Sequence, residues 1–353
     1  MTFQLNGGLD PAADYPILDP LADLTSGENH AFWFFDDRGK YALLNCHIQG
    51  GGTVPPGRVV SGDYQAFPDW ETRRIIFPVA GPDGALHVDF AVERGGKVDG
   101  YELGGWSFRC EQPFRRWTGR YRGAPRLTST AETCAGIIPI DGPRRGLEID
   151  LTMEMALPVW MRGDFAEDLP GRERAMLATG LPRYEQVYRV MGEVRVEGEP
   201  AYPFTGTGVR THRYGRRVAT GDWFHGSSWL SALFPSGRAF GSVQYLGNSG
   251  EAVYSDAAVT DVRGLPVQAR VTATPWLTRY DCVGQRVEWC YEQDGKPGVI
   301  RGEIVAAAYN YGFGLDRTPG IVNWCHTMTR FEWDGEETYG MMELGMITDR
   351  LID

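Results

Sequence analysis

Short runs of alternating apolar and polar residues recur along the chain. The clearest is 147–155, LEIDLTMEM, with apolar side chains on one face and acidic residues or Thr on the other. A period of two is typical of a β-strand with one buried face. We predict further strands from similar runs at 32–35, 41–47, 86–90, 106–110, 188–196, 239–245, 267–273, 286–291, 299–306 and 322–331.

Turn dipeptides such as Asp83-Gly84, Asp294-Gly295 and Asp334-Gly335 separate many of these runs. They are typical of hairpins, and strands joined by hairpins favour an antiparallel barrel or sandwich over an α/β fold. The segment 164–179, DFAEDLPGRERAMLAT, is the exception, and we predict that it forms a short helix. We place a domain boundary just after it, which gives domains 1–182 and 183–353.

The length and composition support a folded protein with two domains. The chain has 353 residues, 42% hydrophobic and 23% charged, and two domains are the usual outcome for that length. The net charge of −11 argues against a nucleic-acid partner, because such binding depends on Lys and Arg that neutralise phosphates. We find no signal-peptide pattern and no apolar run near the ~20 residues of a membrane span, so we expect a cytoplasmic protein.

Cofactor motifs are weak. GTGVRT at 206–211 lacks the third glycine and the βαβ context of a dinucleotide site. The six cysteines have no CxxC or zinc-like spacing. We therefore predict no metal and no nicotinamide, flavin or haem cofactor.

The segment 206–223, GTGVRTHRYGRRVATGDW, concentrates polar and aromatic side chains. If it is extended, His212 faces the same way as Arg210 and Tyr214, because alternate residues of a strand share a face. A base, a cation and a phenol on one wall of an apolar cavity could orient a carbonyl or hydroxyl group. In the alternative interpretation, His212 and the arginines hold the structure together through hydrogen bonds to backbone and carboxylate groups.

Three carboxylates are further candidates. Glu185 and Glu343 stand in apolar or aromatic surroundings, and Asp222 lies beside the cluster. A buried carboxylate can have a raised pKa and serve as an acid, although pairing with an arginine is the commoner case. We also predict ligand contacts from Trp223, His225, Trp229 and Tyr245. The remaining histidines are more often structural residues than ligands: His30, His47, His87 and His326.

Several segments resemble a known family. RYEQVYRVMGEVRVEGEPAYPFTGTGVRTHRYGRR, from residue 183, is similar to the YEQ strand and G.G.RDHSWG.R segment of bacterial proteins related to the carotenoid hydratase (hydroxyneurosporene synthase) and AttH-like group. ENHAFWFFDDRGKYALLNCHIQ, CEQPFRRWTGRYRG and FEWDGEETYGMMELG resemble its two-domain form. The resemblance implies two tandem lipocalin-like antiparallel β-barrels, here with a short linking helix. It also implies relatives that are alkene hydratases and cofactor-free cyclases of terpenoids or polyketides.

On this resemblance, His212 matches the histidine of the DHSW motif and Tyr214 its tryptophan, whereas Thr211 replaces the aspartate. In the hydratases an aromatic residue and an acid follow in the next hairpin, but the matching region 229–237, WLSALFPSG, has no carboxylate. Protonation of an isolated alkene needs a strong acid, and an imidazolium with a pKa near ~6.5 is a poor substitute. We therefore expect gentler chemistry unless Asp222, Glu185 or Glu343 supplies the proton.

These observations predict a cofactor-independent lyase or isomerase, of hydratase, dehydratase or cyclase type, for a hydrophobic terpenoid, steroid-like or polyketide molecule. His212 would be the acid, base or orienting group, Tyr214 a hydrogen-bond donor, and Arg210 an oxyanion or carboxylate anchor. Asp222 and Glu185 are the further catalytic candidates, and Glu343 is expected to contact the substrate. A carrier that binds an apolar small molecule without chemistry is the alternative, and the oligomeric state stays open.

Overall fold

A computed structural model describes residues 4–19, 26–51, 70–138, 141–179, 182–216, 225–261 and 264–352. The fold is all-β, as predicted, and consists of two curled, barrel-like antiparallel sheets. We call them the first and the second barrel. No helix in these ranges is long and apolar enough to cross a membrane.

The first barrel contains thirteen strands in the described part of the chain. They are β1 (Ser26–Asp36), β2 (Ala42–Gly51), β3 (Thr72–Ala80), β4 (Ala85–Arg94), β5 (Gly96–Lys97), β6 (Gly100–Leu103), β7 (Trp106–Gln112), β8 (Arg116–Gly123), β9 (Arg126–Ser129), β10 (Leu147–Met155), β11 (Trp160–Met161), β12 (Arg183–Val196) and β13 (Tyr202–Arg216). Their order is β5-β6-β7-β8-β10-β12-β13-β1-β2-β3-β4-β9, and β11 pairs with β12.

The second barrel contains nine strands within the same ranges, in the order β17-β16-β15-β14-β22-β21-β20-β19-β18. They are β14 (Gly226–Leu233), β15 (Ala239–Leu246), β16 (Ala252–Thr260), β17 (Pro266–Gln268), β18 (Arg270–Ala273), β19 (Arg286–Gln293), β20 (Lys296–Tyr309), β21 (Val322–Trp333) and β22 (Glu336–Ile347). The helices are α1 (Thr130–Ala135) and α2 (Arg172–Thr179), with 3-10 turns at Pro11–Asp14, Pro82–Gly84, Asn310–Gly312 and Thr348–Arg350.

Alternation along the strands builds the core of each barrel. The strand β10 has the predicted bounds, and its apolar face is buried in the first barrel with Phe32, Trp117 and Tyr188. The second barrel has its own apolar core, which includes Trp289 and Phe331. A third apolar cluster lies between the barrels and contains Trp33 from β1 and Trp229 from β14. The two sheets therefore pack against each other, with contacts of β13 to β14 and β22, of β1 to β22 and of β2 to β21.

The chain passes from the first sheet to the second later than the predicted domain boundary after residue 182. Both β12 and β13 follow that residue, yet they pair within the first barrel, β13 along the whole length of β1. The second barrel begins only at Gly226, so the His212 segment belongs to the first sheet. The helix α2 is shorter than predicted and precedes β12, so in chain order it links two parts of the first barrel. The division into folding domains itself stays a prediction.

Candidate active site

The two faces of β12 and β13 point into different surroundings. Tyr184 and His212 are register partners, and their side chains lie inside the first barrel. The neighbouring partners Arg183 and Arg213, one residue away on each strand, face a cavity between the barrels. One strand pair thus forms part of the first barrel's core and one wall of this cavity, because successive side chains of a strand alternate between faces.

The inter-sheet cavity has a volume of about 210 Å³. Strands β1, β2, β3, β12 and β13 contribute to it from the first barrel, and β14, β15, β21 and β22 from the second. Aromatic side chains form much of its wall: Trp33, Trp229, Tyr245, Tyr311 and Trp324. A concave space lined by both aromatic and polar side chains suits a small ligand that has an apolar part and polar groups.

Glu343 on β22 reaches this cavity and is held by a buried histidine behind it. The Nδ1 atom of His326, on the paired strand β21, lies 3.2 Å from Oε2 of Glu343. The amide of Asn45 donates to the same oxygen at 3.5 Å. The side chain of His326 is 1% exposed and that of Glu343 13% exposed. This is a carboxylate with a fixed orientation and limited access to water, which is what proton transfer to or from a bound molecule requires.

Two more proton-bearing groups extend this cluster. The ring of Tyr311 lies 4.4 Å from the ring of His326. The hydroxyl of Tyr311 is 3.4 Å from Nδ1 of His47, and their rings are stacked. Tyr311 and His47 both line the cavity. A phenol and an imidazole are therefore close to the Glu343–His326 pair.

A second polar group of the cavity surrounds Trp229. Its indole Nε1 donates to Oε2 of Glu185 at 3.0 Å, and Arg162 forms an ion pair with the other carboxylate oxygen. The guanidinium of Arg183 lies 4.5 Å from the Trp229 ring centroid, and its Nε donates to Oγ1 of Thr211 at 3.0 Å. Glu185 is thus engaged by Arg162 and Trp229, the arrangement anticipated as the commoner case for a buried carboxylate.

His212 lies in the interior of the first barrel and is fully buried. Its Nε2 is 2.8 Å from Oε1 of Glu28, and its Nδ1 is 2.9 Å from the carbonyl oxygen of Ala13. The same glutamate accepts from Arg73 at 2.8 Å and from the Tyr101 hydroxyl at 3.1 Å. Both ring nitrogens of His212 therefore already have protein partners, which matches the structural interpretation. A catalytic role for His212 stays a prediction, and the inter-sheet cavity gives it no support.

Arg210 lies two residues before His212 and on the same face of β13, as predicted. Its guanidinium donates to Oδ1 of Asp14 at 2.5 Å and to Oε1 of Gln186 at 2.6 Å. Burial opposes the positive charge of Arg210, but the adjacent Asp14 outweighs it and raises the pKa of the guanidinium. Arg210 is fully buried, so the structure places it in the same internal network rather than beside the cavity.

The other predicted residues divide between the two regions. Tyr214 is partly buried, with its ring 5.5 Å from that of His212. His225 is held by backbone hydrogen bonds to Leu246 and Ile347 and does not line the cavity. Trp229, Tyr245 and Glu343 do line it, so their contact with a ligand stays a prediction with a defined location. Asp222 and Trp223 lie outside the described residues.

Within the described ranges, no group of three or more His, Cys, Asp or Glu side chains could hold a metal ion. The six cysteines are unpaired. The polar side chains of the cavity wall belong to arginines, asparagines, tyrosines, a histidine, a threonine, a serine and a glutamate.

Comparison with known proteins identifies a family. The model of a domain of unknown function, DUF7064, matches residues 68–346. The chain belongs to the DUF7064 family. The matched range contains Glu343, His326 and Arg183, whereas β1 and β2, with Asn45 and His47, precede it. In this DUF7064 protein the cavity is therefore completed by strands outside the matched range.

Solved structures share the fold of the DUF7064 chain. An AttH protein from Nitrosomonas europaea superposes with a TM-score of 0.52 at 18% identity, over 90% of this chain and 91% of that one. CghA in complex with Sch210972 gives 0.51 at 11% identity, over 92% and 89%. Kievitone hydratase from Nectria haematococca gives 0.45 at 9% identity, over 91% and 88%. The predicted likeness to the AttH group is thus confirmed for the fold. No curated protein sequence matches significantly.

Sequence reasoning missed several cavity residues of the DUF7064 chain. Arg183 could have been found, because it is two residues before Glu185 and shares its face in a strand. His326 lies in a predicted strand, and the sequence alone predicts a structural role for it. Tyr311 depends on a 3-10 turn in which it has φ of 59°, and no local signal predicts that position.

Proposed function

We propose that the inter-sheet cavity is an active site in which Glu343, positioned by His326, transfers protons to and from a small, largely apolar molecule. The reaction is a hydration, a dehydration or a cyclising isomerisation. The observation that carries this proposal is the contact between Oε2 of Glu343 and the buried Nδ1 of His326 at the cavity wall.

Glu343 would provide the acid that the sequence lacks in the hairpin after the His212 motif. The motif around His212 has no acid in the following hairpin, and an imidazolium is a weak proton source. Glu343 would act as a carboxylic acid, and carboxylic acids are in general stronger proton donors than an imidazolium. In a hydration, it gives its proton to one alkene carbon, water adds to the resulting cation, and the carboxylate recovers a proton from the added water. The acid is regenerated, so the proposed hydration consumes only the substrate and one water molecule.

The cavity walls support this chemistry. A positive charge that develops on the substrate is attracted to the faces of aromatic rings, and Trp33, Trp229 and Tyr311 line the space. The substrate would be a terpenoid, steroid-like or polyketide molecule whose apolar part contacts these aromatic side chains while its polar groups meet the polar part of the wall. A protein of the same fold was crystallised with Sch210972, which is consistent with ligand binding by this architecture.

The experiment compares purified wild-type protein with Glu343→Gln on an apolar metabolite extract, followed by mass spectrometry and chromatography. Hydration or dehydration changes a compound by the mass of one water, and isomerisation changes its retention at constant mass. We expect Glu343→Gln to lower the rate by about 10²- to 10⁴-fold, the usual contribution of a general acid or base. The matched control is Glu288→Gln, at a side chain that is 59% exposed, and it should keep full activity.

His326 acts through Glu343, so its variant needs a different readout. We expect His326→Gln to shift the pH dependence of the rate, whereas a loss of folded protein alone would lower the amplitude without moving the profile. A rate that is unchanged in Glu343→Gln would refute the proposal. Compounds that bind to the wild-type protein but never change would favour the carrier function instead.

A further inference from the structure

The inter-sheet cavity is rich in arginine although the chain as a whole has a net charge of −11. Four arginines line it: Arg74, Arg162, Arg183 and Arg213. Glu343 is the one carboxylate among the described residues of its wall. Arg74 donates to Gln49 at 2.8 Å and, like Arg213, has further interactions. Arg162 and Arg183 both place their guanidiniums near the ring of Trp229.

Arg183 is a cation without a described counter-ion. Among the residues that the structure describes, none of the carboxylates forms an ion pair with it; its Nε donates to Thr211, and its guanidinium stacks on Trp229. Burial, followed by the positive charge of Arg162, lowers its pKa to about 9. The attraction from Glu343 is weaker than the effects of burial and of the neighbouring Arg162. An anion placed next to Arg183 would stabilise its buried positive charge.

Arg162 adds unused donors at the same place. It is 5% exposed, and its guanidinium lies 5.4 Å from the Trp229 ring centroid. One Nη atom pairs with Glu185, but Nε and Nη1 have no partner in the described part of the chain. Buried donors without acceptors are costly. Two guanidiniums with spare donors thus contact one indole ring at the cavity wall.

We propose that the molecule bound in this cavity carries an anionic oxygen group, such as a carboxylate, which Arg162 and Arg183 bind beside Trp229. Arginine suits this task because its planar fork of N–H groups matches two oxygens at once. This inference rests on the proposed function, since it assumes that the cavity is the substrate site. It adds the substrate class: an apolar body with a negatively charged end.

The position of the anion also sets the position of the reacting end. Trp229 and Glu343 are register partners on β14 and β22, and the Cβ atoms of such partners are about 5 Å apart. A molecule anchored at Arg183 therefore has its apolar part within reach of Glu343. The anchor orients the substrate, and Glu343 acts on the bond that is presented to it.

The test uses two fluorescent probes with the same ring system. Anilinonaphthalene sulfonate carries an anionic group, and phenylnaphthylamine lacks it. Dissociation constants are measured for the wild-type protein, Arg183→Gln, Arg183→Lys and Arg120→Gln. Arg120 is the matched control because its side chain is 71% exposed on the first barrel. Circular dichroism confirms that each variant is folded.

We expect wild-type protein to bind the sulfonate at least about tenfold more tightly than the neutral probe, a difference typical of one charge-assisted contact. Arg183→Gln should lose this preference and leave the affinity for the neutral probe unchanged, while Arg183→Lys keeps part of it and Arg120→Gln keeps all of it. Equal affinities for both probes, or a preference that persists in Arg183→Gln, would overturn the inference. Failure of the folded wild-type protein to bind the sulfonate would overturn it as well.

These results are separable from the proposed function. If both probes bind equally while Glu343→Gln abolishes turnover, the cavity is the active site but the anion site is wrong. If the sulfonate preference depends on Arg183 while Glu343→Gln retains full activity, the anion site is correct and the catalytic assignment fails.

Discussion

Replacing Asp14 by Asn should destabilise the first barrel strongly. Asp14 is fully buried at the end of the Pro11–Asp14 turn. Burial alone would raise its pKa, but the charge and hydrogen bond of Arg210, together with Phe114 and Tyr184, hold the pKa below its usual value. The carboxylate is therefore charged at neutral pH and neutralises a guanidinium that is itself fully buried.

The expected loss of stability follows from the nitrogen and oxygen donors that converge on Asp14, in addition to the weaker Cys110 thiol 3.6 Å from its Oδ2. Arg210 and the Tyr184 hydroxyl donate to Oδ1 at 2.5 and 2.6 Å. The backbone N–H of Phe114 and the indole of Trp117 donate to Oδ2 at 2.6 and 3.0 Å. An asparagine amide offers one acceptor oxygen, so its NH₂ group would face two donors, and Arg210 would lose its counter-charge. Breaking a buried ion pair costs about 3–5 kcal/mol, a large share of an ordinary stability of about 5–15 kcal/mol.

The measurement is urea unfolding of Asp14→Asn, monitored by circular dichroism, with Asp294→Asn in an exposed turn as control. We expect a much lower midpoint for Asp14→Asn and none of that loss for the control. The double variant Asp14→Asn with Arg210→Met should recover part of the loss, because the unpaired charge is gone. A loss below about 1 kcal/mol, the net value of one ordinary hydrogen bond, would refute the reasoning.

Two further predictions concern stability. Burial lowers the pKa of His87 to about 4. In the unfolded chain the same imidazole takes up a proton below about pH 6.5. The free energy of unfolding of the wild-type protein should therefore fall as the pH decreases from about 6.5 towards 4. His87→Phe should remove this part of the pH dependence in urea titrations, and an identical slope in both proteins would contradict it. Gly241→Ala should cost about 1–3 kcal/mol, because the new Cβ would lie 2.2 Å from a ring atom of Trp160, whereas the control Gly81→Ala meets its nearest atom at 3.5 Å. Equal unfolding midpoints for these two variants would show that Trp160 moves aside freely.

Much of the fold was accessible from the sequence because alternation is a local signal. The strand at 147–155 was predicted with its final bounds, and its apolar face is the buried one. The sheet to which a strand belongs is set by partners far away along the chain. The pairing of β13 with β1 joins Tyr214 to Glu28, and neither segment contains information about the other. The sequence therefore does not show that β12 and β13 join the sheet of β1, whereas the prediction of two barrel-like antiparallel sheets is confirmed.

In the candidate site, too, alternation predicts which residues share a face, whereas their neighbours depend on pairing between distant strands. Alternation correctly placed Arg210 and His212 on one face of a strand, but it does not say which face is in the barrel and which faces the cavity. The face that meets the cavity carries Thr211 and Arg213 instead. Glu343 was identified as a possible acid from its apolar surroundings, yet its partner His326 follows only from the register of β21 with β22.

The inter-sheet cavity also bears on how such a protein can change during evolution. Arg183 and Arg213 come from the first barrel, while Trp229 and Glu343 come from the second. Neither half, produced or inherited alone, has the complete cavity, so duplication or exchange of a single barrel would not transfer the proposed activity. Selectivity can nevertheless be adjusted from either side, because a substitution in one barrel alters the shared space without entering the hydrophobic core of the other. Inheritance of the two barrels as a unit, with side chains between them free to vary, is the pattern that this arrangement favours.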